Sequence, residues 1–100
     1  MKIEATLYKT DGSFEPLILD KKTSLKTLHA LIGGLIEIIH IVPLLKMDDE
    51  NFIGNDLILN EVGLLLDLPI NPWSSYVGMD SIWEAHEFRG DMILVKGKLP

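Results

Sequence analysis

The chain has 100 residues, 47% hydrophobic and 24% charged, which suits one domain over residues 1–100 and excludes a disordered segment. Its formal net charge of −6 excludes the nucleic-acid phosphate backbone as a main partner, because that affinity is built from Lys and Arg. The absence of cysteine removes disulfides, thiolate metal sites and cysteine nucleophiles together, and fits a reducing cytosol.

Residues Lys2 to Lys9 alternate Ile3, Ala5 and Leu7 with Glu4, Thr6 and Tyr8, the period of a strand. Asp11-Gly12 is a turn signal, and Phe14 to Asp20 reads as the return strand of a hairpin. Pro16 cannot donate a ladder hydrogen bond, so this strand lies at an edge or begins only at Leu17. The period then changes. Leu25, Leu28, His29 and Ile32 share one face of a helix that Thr23 or Ser24 can cap and Gly33-Gly34 ends.

Leu35 to Val42 is β-branched and apolar on both faces, which predicts a central strand covered on each side and ended by Pro43. MDDEN (47–51) is a turn or loop. Asn55 to Glu61 predicts a strand with Leu57 and Leu59 on one face and Ile58 on the other. Gly63 marks a turn, and LLLDLP (64–69) is a short strand or an extended connection. Asn71 to Gly78 reads as irregular, broken by Asn71-Pro72. Ser81 and Glu84 match a capping box for a short helix over Ile82 to Phe88. Gly90 turns the chain into a last, central strand, Met92 to Val95. The order predicts an α+β fold, ββαββ(α)β, with a mixed or antiparallel sheet of about five strands and one main helix. The Glu37 and Met92 strands are expected near its centre and the opening hairpin toward an edge.

The carboxylate at the opening, Met1-Lys2-Ile3-Glu4, is unlike a secretion leader. The longest apolar stretch, Leu31 to Leu45, is interrupted by Glu37, His40 and Pro43 and falls short of the ~20 residues of a spanning helix. The expectation is a soluble, cytoplasmic protein with no membrane partner.

Glu37 is the residue to explain. On a strand it points away from His40, so the two are no local acid–base pair. A buried unpaired carboxylate is costly, so either a protein donor satisfies it or it faces a cleft that receives a ligand. Trp73, Tyr76 and Trp83 fall in the turn-rich part of the chain, where they either stack on a flat ligand such as a nucleobase or plug the sheet ends as core. His29, His40 and His86 have no metal-ligand spacing, no Gly-rich loop resembles a phosphate cradle and no serine sits in G-x-S-x-G. No metal, cofactor or catalytic residue is assigned.

Taken together, Gly33, Gly34, Ile36 and Glu37, then Asn60, Glu61 and Gly63, then Leu68, Pro69 and Asn71, then Gly90 and Asp91 form an ordered pattern. From Ser24 to Val95 this pattern resembles an uncharacterised domain-of-unknown-function family of small phage and mobile-element proteins. That family often has an aromatic residue where this chain has Leu35. The resemblance implies an accessory protein in a host cytoplasm, of a kind that often blunts host defence. The leading expectation is therefore a non-enzymatic protein that sequesters a small nucleotide-derived ligand. Glu37, Asn60, Glu61 and Asn71 would bond base or ribose edges, Trp73 or Trp83 would stack, and Arg89 would supply a cation, with a homo-oligomer able to concentrate further cations. The alternatives are a protein–protein inhibitor of a host factor, contacting it through an edge strand or the acidic surface, and a small hydrolase with Glu37 or Glu61 as general base.

Overall fold

The computed structural model describes residues 2–20 and 25–97. In chain order they form β1 (Lys2–Tyr8), β2 (Phe14–Asp20), α1 (Leu25–Ile32), β3 (Ile36–Ile41), a 3-10 turn (Leu44–Lys46), β4 (Asn55–Asn60), α2 (Ser74–Gly78) and β5 (Met92–Val95). The five strands make one antiparallel sheet in the order β2-β1-β5-β4-β3. This is an α+β fold with one main helix and a short second one.

Local chemistry sets the hairpin and the helix end. Gly12 takes a φ of 90° at the β1–β2 turn, where the Asp11 carboxylate accepts from the Ser13 N–H and hydroxyl. The Lys9 N–H donates to the Ser13 carbonyl. With Tyr8 facing Phe14, the odd residues of β2 therefore bond β1 and Phe14, Pro16 and Ile18 turn their backbones outward. Pro16 thus sits on an edge strand at a position that needs no donor. At the end of α1, Gly33 adopts a φ of 88° and both Gly33 and Gly34 donate to the His29 carbonyl, a left-handed glycine stop. The Thr23 or Ser24 cap lies outside the described residues.

Each sheet face carries its own core. On one, Ala5, Leu7, Leu19, Ile58, Ile93 and Val95 pack under Leu28 and Ile32 of α1. On the other, Tyr8, Ile41, Leu57, Leu59 and Met92 are covered by Val77 of α2 and by Phe88. Burial of this kind stabilises by about 25 cal/mol per Å² of apolar surface.

Three expectations are corrected. First, β3 is an edge strand paired only with β4. The centre goes to β5 and β4, whose residues are nearly all buried, whereas Ile41 alone is buried in β3. The apolar residues on both faces of β3 serve two cores from the rim: Ile36 packs toward α1 and Ile39 toward the opposite core, while Ile38 stays 48% exposed. Second, residues 82–85 form turns and 86–88 run on without regular structure, instead of a helix. Ser81 Oγ donates to the Gly78 carbonyl and accepts from the Trp83 N–H, a local turn that competes with the capping box. Third, the segment read as irregular contains α2, started by an Asn71 turn in which the Ser74 hydroxyl bonds the Asn71 carbonyl. Residues 61–67 are turns, and Leu64, Leu65 and Leu66 stand in solvent.

Candidate functional site

Four of the seven residues chosen from sequence converge in one cleft. Glu37 projects from β3 on the face of its partner Leu59. Asn60 ends β4 and folds the chain back, its Oδ1 accepting from the Val62 N–H at 2.9 Å. Glu61 is held beside β3 because its N–H donates to the Leu35 carbonyl at 2.9 Å. Arg89 enters from the segment that precedes β5. Together with His86 and Glu87 they line a solvent-open cleft of about 260 Å³, with Leu59 and Phe88 among its apolar walls.

The cleft is acidic. Glu37, Glu61 and Glu87 oppose one guanidinium, and one nitrogen of that group is engaged: Arg89 Nη1 donates to the Leu68 carbonyl at 3.1 Å and lies 3.4 Å from Asp67 Oδ1. Glu37 itself is exposed, so its edge position removes the cost of a buried carboxylate and leaves its oxygens free to accept. Among the described residues, no three His, Asp or Glu side chains converge to hold a metal ion. The arrangement suits an ammonium, a guanidinium or another strong donor.

The remaining candidates lie elsewhere. Asn71 is 1% exposed and its amide is committed to backbone: Nδ2 donates to the carbonyls of Tyr8 and Gly90 at 3.0 Å, and Oδ1 accepts from the Trp73 N–H at 2.9 Å. Trp73 ties α2 to the hairpin, with its Nε1 donating to the Gly12 carbonyl at 3.0 Å and its ring 5.0 Å from Tyr8 and 5.4 Å from Phe14. Trp83 backs the cleft wall, its ring 5.5 Å from His86 and 6.1 Å from Phe88. Among the described residues, its buried indole Nε1 has no hydrogen-bond partner.

Sequence reasoning missed two features. His86 and Glu87 line the cleft, and only the path of the 81–88 segment brings them there. A second groove of about 380 Å³ crosses the opposite end of the same sheet face, lined by Thr6, Tyr8, Ile18, Tyr76, Leu94 and Lys96. Burial there, with the Tyr76 phenol alongside, pushes the Tyr8 phenol above its ordinary value, partly offset by a hydrogen bond with Thr6. The alternation Glu4-Thr6-Tyr8 was the available signal for this polar floor.

A scan of protein-family models, a search of curated proteins and a search of solved structures each found no match to this chain. Among the described residues, no helix is long and apolar enough to cross a membrane.

Proposed function

We propose that this chain is a non-enzymatic accessory protein of the phage type that binds a host protein through the acidic cleft formed by β3, β4 and residues 86–89. The observation that carries this reading is that Glu37, Glu61 and Glu87 line one open cleft against a single guanidinium, Arg89, whose Nη1 is engaged by Leu68 and Asp67. Exposed Leu35, Leu64 and Leu65 stand beside it, at 59%, 72% and 85%. Apolar residues flanking a charged centre suit a protein surface that presents Lys or Arg. The resemblance to phage and mobile-element proteins makes a host factor the fitting partner and the host cytoplasm the fitting place. Self-association through the cleft would set the carboxylates of one copy against those of another, which favours an unlike partner over a homo-oligomer.

The second reading, sequestration of a nucleotide-derived signal, draws on the same side chains, since Glu37 and Asn60 can accept and donate at base edges. Phosphates would meet three carboxylates against one guanidinium whose Nη1 is engaged, and a volume of about 260 Å³ is below the roughly 300–1,000 Å³ of small-molecule sites. The test is affinity capture from host cells with the tagged chain and with Glu37→Lys combined with Glu61→Lys. One stoichiometric host protein should be retained by the first and lost, at least about tenfold, by the second. Equal retention by both, or no host protein at all, would refute the reading.

A further inference from the structure

Backbone phase shows how a partner can dock beside this cleft. Glu61 donates to the Leu35 carbonyl, and β3 runs in register with β4 as Glu37 on Leu59 and Ile39 on Leu57. Antiparallel pairs alternate between bonded and unbonded, so the odd residues of β3 bond β4 and Ile36, Ile38 and His40 direct their N–H and C=O groups outward. Among the described residues no backbone group pairs with them. The opposite edge of the sheet differs: the outward positions of β2 include Pro16, which removes the donor from the middle of that edge. One edge is closed by proline and the other offers a complete row of donors and acceptors.

We infer that β3 receives an extended strand of the partner along its outer edge, a strand with Lys or Arg opposite Glu37 and an apolar residue opposite Ile38. This rests on the protein-binding function proposed above and specifies its mode. Cross-strand neighbours lie about 4.5–5.5 Å apart at Cβ, so the residue facing Glu37 emerges on the cleft side, toward Glu61 and Glu87. The residue facing Ile38 emerges on the α1 side, where Ile38 is 48% exposed. A second copy of this chain is the poorer occupant, because its own edge brings a further Glu37 and its cleft to the same place.

The probe is a capped peptide of about seven residues alternating Lys and Val, with a peptide of equal composition but broken alternation as control. Amide hydrogen exchange of the full chain is followed by NMR. The alternating peptide should slow exchange at Ile36, Ile38 and His40 by at least about tenfold and the control should not. Ile38→Pro removes an outward N–H, the counterpart of Pro16 on β2, together with the Ile38 side chain, and should abolish the protection at Ile36 and His40. The exposed Glu37→Lys substitution should weaken peptide binding by about tenfold or more. Absence of peptide binding, or binding that leaves the three amides unprotected, overturns strand addition. If Ile38→Pro retains a host-protein complex that Glu37→Lys with Glu61→Lys loses, strand addition fails while the cleft reading stands. A complex indifferent to every one of these substitutions removes both.

Discussion

Replacing Asn71 by Ala should destabilise the fold severely. The side chain is 1% exposed and makes three hydrogen bonds, two as donor to the carbonyls of Tyr8 and Gly90 and one as acceptor from the Trp73 N–H. These bonds join β1, the segment leading into β5 and the entrance to α2, at the end of the β1–β5 ladder where Tyr8 pairs with Met92. Each is worth about 1 kcal/mol net, so their loss costs roughly 3 kcal/mol, more where a buried group is left unpaired. In a domain of this size each kcal/mol lowers Tm by about 4–8 °C, which predicts a fall of roughly 12–24 °C in a calorimetric melt. Asn71→Asp keeps the acceptor, loses both donors and turns a carboxylate on two carbonyls, so it should be at least as damaging. At temperatures where Asn71→Ala remains folded, it should still bind the host partner. A Tm within about 4 °C of the parent for both variants would show that the bonds do not hold these segments together.

Glu37→Gln should change stability by no more than about 0.5 kcal/mol in chemical denaturation, because the side chain is exposed on an edge strand; a large loss would mean that a protein donor holds the carboxylate. Phe88→Ala, at a residue 1% exposed in the second core, should cost about 3–5 kcal/mol by the same measurement, and a cost below about 1 kcal/mol would show that the 81–88 segment does not close that core. Tyr8 gives an alkaline signature: with its folded pKa raised above the ordinary 10.0, its contribution is full below that value and is lost as pH rises through 10 toward the folded value. Tyr8→Phe should therefore lose stability less steeply than the parent between about pH 9 and 11, and parallel curves would contradict this. Gly90→Ala meets both a φ of 86° and Leu68 Cδ1 at 2.9 Å from the added carbon, so it should lower Tm by several degrees, about 1–2 kcal/mol.

Much of the fold was legible because strong local signals agree with the tertiary result. Asp11-Gly12 marks the hairpin, Gly33-Gly34 ends α1, and Pro16 marks an edge because a missing donor is tolerated only there. β3 was misplaced because apolar residues on both faces read the same on a central strand and on a rim strand touching two cores. Only the pairing of β5 with both β1 and β4 decides between them. Ser81 and Glu84 spell a capping box, yet the Ser81 hydroxyl is taken by Gly78 and Trp83 in a turn, and a motif carries no record of that competition. For the site, Glu37, Asn60, Glu61 and Arg89 were found as polar residues in or flanking apolar segments. His86 and Glu87 were not, because an irregular path brings them in. Asn71 shows the converse: a polar residue in the same pattern whose hydrogen-bonding capacity is spent on backbone carbonyls 63 and 19 residues away in sequence.

The proposed action of this chain is to hold a protein at the β3 edge and its acidic cleft. Native mass spectrometry of the chain purified from host cells with defence signalling triggered distinguishes this from ligand capture, since it reports a protein complex and a small adduct in the same spectrum. The expected spectrum shows the mass of a one-to-one protein complex that disappears with Glu37→Lys and Glu61→Lys. A reproducible nucleotide-sized adduct without any protein partner, shed by Glu37→Gln, would contradict it and return the cleft to a small ligand.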